Sequence, residues 1–309
     1  MSTYWKAIIA ITIASIFWGS AGIVGKILLR SFSPFEVAFL RSCVASLFMI
    51  PIFLKQKRVP VKRILIDIVP IAALSAINIV FYYIGLQWTT VNASAVMYAA
   101  TPLLVALISS ITIHEHVSVQ QIVGVIVGFI GVLSIILLPA LGHPEVGFGT
   151  PIGNLLLLVA VTSWSFYIVG SRYLTNTKKY QPLTVTAVSM FVSVVLLGFI
   201  NLFAPHHGSV QSLLQPNIIV NLLYLGFFVT VITYTLFQWA MQHVSSTNAS
   251  LTNYLQPIFA FYFAWIFLSE HITFIFLIGS ILVLLGVFLV TGEKMTAHAR
   301  ALRGRRRNG

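Results

Sequence analysis

Ten apolar stretches, each close to the length that a membrane-crossing helix needs, constrain this chain more than any motif in it. They are Trp5–Leu29, Phe35–Leu54, Ile66–Trp88, Ala93–Ile113, Val119–Leu138, Ile152–Leu174, Leu183–Phe203, Ile218–Met241, Ala249–Leu268 and Phe274–Thr291. About 20 apolar residues wound as a helix cover the roughly 30 Å of hydrocarbon in a bilayer. The polar gaps between the stretches carry turn punctuation such as Ser33-Pro34, Val59-Pro60, His143-Pro144, Gln181-Pro182 and Gln215-Pro216. The spacing predicts an all-α integral membrane protein of ten transmembrane helices.

Composition agrees, because 58% of the residues are hydrophobic and 8% charged, where a soluble domain carries about a quarter charged residues. The formal net charge of +12 would in a soluble chain suggest nucleic acid, but its placement argues for membrane topology and no nucleic-acid partner. One side of the membrane collects Lys6, then Lys55, Lys57, Arg58, Lys62 and Arg63, then Arg172, Lys178 and Lys179, then Lys294 and the tail arginines Arg300, Arg303, Arg305, Arg306 and Arg307. The other side has Lys26 and Arg30, with Arg41 inside a helix. An even number of helices puts both termini on the basic side, so both are expected in the cytoplasm and the chain in the cell membrane, multi-pass. The first stretch is too long for a signal peptide and has no small-residue cleavage site. Cys43 is the lone cysteine and lies in an apolar run, which excludes an intramolecular disulfide.

The chain is also written twice. Tyr98–Leu133 recurs at Asn253–Phe288, and Pro102 with Pro257, Glu115 with Glu270, His116 with His271, Gly124 with Gly279 and Gly131 with Gly286 all stand 155 positions apart. Upstream, Asn92-Ala93-Ser94 matches Asn248-Ala249-Ser250 one residue out of step. The expected division is a first five-helix repeat at 5–138, a connecting loop at 139–151, a second repeat at 152–292 and a basic cytoplasmic tail at 293–309. Five is odd, so the second copy enters the membrane from the opposite face and the two are inverted repeats. Such repeats build alternating-access carriers with a substrate site near the midplane.

The ordered motifs resemble a family. Each copy has a tryptophan followed by a small residue in its first helix (Trp18-Gly19, Trp164-Ser165), and Ser33, Pro34 and Arg41 open the second helix. A small-residue run leads to a mid-helix proline (Asn92 to Pro102, Asn248 to Pro257), followed by Glu-His and a glycine-spaced closing helix. This arrangement, from Trp5 to Gly292, is similar to that of the EamA-type transporters of the drug/metabolite transporter superfamily. The resemblance implies a bacterial inner-membrane carrier that mostly exports small metabolites such as amino acids. The second copy departs from the pattern at Ser189, which stands where a counterpart of Arg41 would fall.

Helical faces and depth nominate the residues of a central path. Asn78, Tyr82 and Gly85 share one stripe of the third helix, and Tyr234, Gln238 and Met241 share one of the eighth. Tyr98 lies with Ser94 and Thr101 on the fourth helix, and Asn253 and Tyr254 lie with Ser250 on the ninth. Polar groups in hydrocarbon need partners, so these stripes should face the bundle interior, either as interhelical glue or as a substrate site. Trp18 and Trp164 lie too deep for the interfacial belts and serve either as packed core or as stacking surfaces for a ligand. Arg41 starts roughly 9 Å into its helix, at 1.5 Å per residue, and reads equally as a substrate-carboxylate clamp or an outer-surface anchor, with Glu36 as a partner of either. Asp67 is expected to pair with Arg63 one turn earlier, Lys26 to snorkel, and Glu115 and Glu270 to make capping or gating contacts. Pro102 and Pro257 remove a backbone donor and nominate hinges. The glycines of the fifth and tenth helices read as packing or homodimer faces.

No metal or cofactor is expected, since the histidines near Glu115 and Glu270 lack metalloprotease spacing, and no enzyme signature is present. The function expected is export of a small neutral or zwitterionic metabolite, facilitated rather than proton-coupled, because no titratable group other than Arg41 and tyrosine sits at mid-membrane. The competing readings are efflux of lipophilic drug-like compounds and, in a different class, a non-transporting scaffold or sensor. A scaffold has no reason to keep polar stripes converging on one cavity.

Overall fold

The computed structural model describes residues 3–56, 59–112, 118–137, 149–241, 251–274 and 276–290, and the side chains at positions 4, 136, 210, 238, 241 and 251–254 fall outside that description. Its regular structure is helical among the described residues: α1 Thr3–Leu28, α2 Pro34–Leu54, α3 Val61–Trp88, α4 Val91–Thr112 and α5 Val119–Leu137. There follow α6 Pro151–Asn176, α7 Pro182–Phe203, α8 from Pro216 to Met241, α9 Leu251–Leu268 and α10 Phe276–Val290. Seven of them, α1 to α4 and α6 to α8, are long and apolar enough to cross a membrane, while the apolar helices within α5, α9 and α10 are shorter. Side chains such as Phe48, Ile126, Phe199 and Ile281 stay exposed on the outside, the surface that lipid covers.

The helix starts follow local chemistry. Pro34, Pro151, Pro182 and Pro216 stand in the first turn of their helices, where a missing N–H costs nothing. Before α2, the Ser33 side chain accepts the Glu36 N–H while Glu36 Oε2 accepts the Ser33 N–H at 2.7 Å, a reciprocal cap. Ser33→Ala is expected to cost about 1 kcal/mol, measurable as a lowered midpoint in detergent thermal melts. Glu36 also accepts the backbone N–H groups of His207 at 3.1 Å and Gly208 at 3.3 Å, which ties the α1–α2 turn to the α7–α8 connection. It is therefore not the partner of Arg41.

Among the described residues two helices contain wider π-helical turns that the periodicity does not reveal. In α3 the turn is Ile64–Ile68, immediately before Pro70, whose ring would otherwise meet the carbonyl one turn back. Residues four apart no longer stack in such a turn, and Arg63 stays within electrostatic range of Asp67 without forming its ion pair. Asp67 pairs instead with Lys178 Nζ at 3.4 Å and accepts the Tyr180 hydroxyl at 2.6 Å, a correction to the expected pairing. That bond holds the Tyr180 phenol above its ordinary pKa. In α8 the turn is Tyr224–Ile232.

The backbone of α4 breaks at Ala100, between Val91–Ala99 and Thr101–Thr112. Pro102 cannot donate to the Tyr98 carbonyl, and the Thr101 hydroxyl does so instead at 2.6 Å. The helix α9 carries Pro257 in its interior.

Packing joins α1 to α8 and α9, α3 to α6 and α7, α2 to α7 and α8, and α4 to α6 and α9. The helices α5 and α10 meet through glycine. A Cβ on Gly286 would stand 2.5 Å from the Gly124 carbonyl oxygen, and one on Gly131 would stand 2.7 Å from that of Gly279. Backbones approach this closely only where side chains are absent, the usual device for holding helices together in lipid.

Candidate functional site

Aromatic side chains from five helices converge inside the bundle. Trp18 on α1 lies edge-on to Tyr234 of α8, with ring centroids 6.0 Å apart, and Trp164 on α6 lies edge-on to the same tyrosine at 5.8 Å. Tyr167, one turn beyond Trp164, stacks on it at 5.1 Å. On the facing side Tyr82 of α3 makes an edge contact with Tyr98 of α4 at 5.4 Å and another with its neighbour Tyr83 at 5.2 Å. Tyr234 lies within electrostatic range of Tyr98 and of Arg41, so the two groups share one region.

Neighbouring helices do not close completely over these side chains. Trp18, Arg41, Tyr82, Tyr98, Trp164 and Tyr234 are only half-buried although each is ringed by groups from other helices. The indole N–H groups of Trp18 and Trp164 have no hydrogen-bond partner among the described residues. An indole N–H packed in a dry core needs an acceptor, and the Trp18 ring also packs against the buried cluster that includes Ile79, Tyr83 and Leu225.

Arg41 points inward and is no surface anchor. Its Nε donates to Thr230 Oγ1 at 3.1 Å and its Nη1 to the Tyr83 hydroxyl at 3.2 Å, with the guanidinium carbon 5.9 Å from the Tyr83 ring centroid. Thr230 belongs to the π-helical turn of α8, and its hydroxyl bonds the Leu225 carbonyl five residues back. The wider turn is what presents this oxygen to α2.

Asn78 bonds two neighbouring helices. Its Nδ2 donates to the Tyr98 hydroxyl and, at 2.9 Å, to the Ala160 carbonyl of α6, so it orients Tyr98 and fastens α3 to α6. Gly85, on the same stripe, lets α3 approach α6, since a Cβ there would stand 2.9 Å from the Gly153 carbonyl oxygen. The side chains of Gln238, Asn253 and Tyr254, and all of Ser250 and Glu115, lie outside the described residues.

Tyr83, Tyr167 and Thr230 were not singled out by sequence. Aligning Gln87-Trp88 on Gln238-Trp239 makes Tyr83 the counterpart of Tyr234, a signal that was present. Nothing in the sequence marks Thr230.

At the ends of α1, α3 and α9 a separate open cleft of about 320 Å³ is lined by Lys26, Arg30 and Glu270, among others. Glu270 caps α4 there: Oε1 accepts the Val91 N–H at 2.9 Å and Oε2 the Asn92 N–H at 3.0 Å. Among the described residues no three His, Cys, Asp or Glu side chains gather as a metal site.

Comparison with known proteins fits this geometry. The profile of the EamA-like transporter family matches residues 5–137 and 151–292. An uncharacterized transporter of Archaeoglobus fulgidus is 26% identical over 294 residues, covering 94% of this chain and all of its own length. A chloroplastic WAT1-related protein of Arabidopsis thaliana is also 26% identical, over 89% of this chain and 66% of that protein. The S-adenosylmethionine/S-adenosylhomocysteine transporter of Chlamydia muridarum is 26% identical as well, over 96% of this chain and 93% of its own. One crystal structure superposes with a TM-score of 0.62 at 18% identity, covering 92% of this chain, a likeness of fold alone.

Proposed function

Because the chain belongs to the EamA-like transporter family, we propose that it exports amino acids or related neutral and zwitterionic metabolites by alternating access around the space between Trp18, Tyr82, Tyr98, Trp164 and Tyr234. Membership makes it a multi-pass membrane transporter and not an enzyme. The observation that carries the finer reading is the inward convergence of aromatic and polar groups from five helices, which a scaffold has no reason to keep. One relative is named for S-adenosylmethionine and S-adenosylhomocysteine, both amino-acid derivatives, and supports a small metabolite as cargo.

Ten spanning helices arranged as two inverted repeats find support in the packing. If every helix number is advanced by five, the contacts of α3 with α6 and of α1 with α9 become those of α8 with α1 and of α6 with α4, while α2–α7 and α4–α9 map onto themselves. In this reading the halves rock about the central space, and the break at Ala100 and the proline kink at Pro257 act as hinges. Both termini face the cytoplasm of the cell membrane. The contact of Asp67 with Lys178 brings the α2–α3 and α6–α7 connections to one end, where the basic residues gather. A homodimer would use the outer aliphatic faces of α5 and α10, because their glycines are occupied within the chain.

The carrier is a facilitator: among the described residues Glu36 lies in a first turn, Asp67 in the second turn of α3, and Glu270 and the histidines in connections. Counterflow in proteoliposomes loaded with mixed amino acids tests this. Exchange unaffected by an imposed pH gradient is expected, while gradient-driven accumulation would overturn the facilitated mode.

A further inference from the structure

The central space contains one charged group that no acid in the described chain neutralises. Among the described residues Arg41 bonds only to the hydroxyls of Thr230 and Tyr83. The described acids are engaged elsewhere: Glu36 with the backbone of Ser33, His207 and Gly208, Asp67 with Lys178 and Tyr180, and Glu270 with the N–H groups of Val91 and Asn92. The remaining acids of the sequence, Glu115, Glu145 and Glu293, fall outside the described residues.

Among the described residues two of the five N–H donors of the guanidinium are used, and both partners are neutral. A partly covered charge whose partners are neutral is stabilised by an anionic group, and the fork geometry of arginine fits a carboxylate with two parallel bonds. At the corresponding place in the other half stands Ser189, whose hydroxyl bonds Val185 and Tyr167, so no second cation faces Arg41 from there. One cation suits one anionic group. The cleft at the ends of α1, α3 and α9 has the same sign, with Lys26 and Arg30 against the single carboxylate of Glu270.

We infer that Arg41 is the specificity-determining residue, taking the carboxylate of the substrate while the rings of Trp18, Trp164 and Tyr234 receive an apolar or aromatic body. This deepens the proposed function and rests on it. The substrate class narrows to small monocarboxylates, with or without an α-ammonium group. Compounds carrying only positive charge are rejected, because they would meet Arg41 where the described residues offer no acid.

The test uses purified full-length protein in proteoliposomes preloaded with phenylalanine, and competition by four probes. Phenylalanine and phenylpyruvate carry the carboxylate, while phenethylamine and tetraphenylphosphonium do not. In wild type the first pair should compete and the second pair should not, at concentrations at least tenfold higher. Arg41→Gln should weaken phenylalanine and phenylpyruvate by roughly 10- to 100-fold, the value of a charge-assisted hydrogen-bond pair, and Arg41→Lys should restore part of the loss. Gel filtration verifies that each variant is folded, and the wild-type competition needs no variant at all. Equal competition by phenethylamine, or unchanged phenylalanine exchange in folded Arg41→Gln, overturns the assignment of Arg41 and leaves the carrier reading standing. Absence of exchange with every probe in folded wild type overturns the carboxylate metabolite reading itself.

Discussion

Gly286→Ala is expected to lose about 2–3 kcal/mol of stability, whereas Gly279→Ala, its neighbour on the same helix, should be close to neutral or slightly stabilising. The added methyl group is identical, and alanine gains about 1 kcal/mol of helix propensity over glycine at both sites. What differs is the obstacle. At Gly286 the new Cβ stands 2.5 Å from the backbone of Gly124 and Gly128, which cannot rotate aside, so α5 and α10 must separate and surrender the contacts along their seam. At Gly279 the nearest atom is Ile135 Cγ1 at 3.3 Å, part of a side chain that can yield. Overpacking penalties of this size are ordinary for rigid neighbours. Paired thermal melts in one detergent check the difference. Equal midpoints for the two variants would show that the seam is not close-packed in the folded protein.

Tyr234→Ala is expected to raise the half-saturating substrate concentration about tenfold while leaving expression and gel-filtration behaviour unchanged. Its ring is the shared neighbour of Trp18 and Trp164, so its removal leaves both indoles without their common edge contact. Aromatic pairs contribute about 0.5–1.5 kcal/mol each, and about 1.4 kcal/mol is tenfold in affinity. Tyr234→Phe keeps the ring and should retain most of the affinity. Competition binding on folded protein separates this effect from misfolding. An unchanged half-saturation in Tyr234→Ala would place the substrate elsewhere.

The helices were legible because lipid imposes a length and a composition that local sequence records directly. The observed bounds of α2, α5 and α7 lie within one residue of the apolar stretches that predict them. The inward tryptophans and tyrosines were legible for a related reason, since a polar or amphipathic group at that depth must turn from lipid. The destination of Arg41 was not, because the sequence cannot tell whether a long side chain snorkels outward or turns inward. That choice was made by the hydroxyl of Thr230, carried on a π-helical turn with no sequence signature, and by Tyr83. Asp67 was misassigned for the same reason: the expected pairing assumed 3.6 residues per turn, and the turn before Pro70 is wider. Asn78 is buried, as its stripe suggested, and its contact with the Ala160 carbonyl is one that sequence could not show.

The cap on α4 has a bearing on biosynthesis. The first amides of that helix find their carboxylate on Glu270, 179 residues downstream of Val91. At the roughly 5–20 residues per second of protein synthesis, that partner emerges some ten to thirty-five seconds after the helix it completes. During that interval water or lipid headgroups must satisfy the Val91 and Asn92 amides, and the first half is held in an unfinished state by the order of translation. Fragments that end before residue 270 can insert but lack this closure, so the last step of assembly belongs to the second half and acts back on the first.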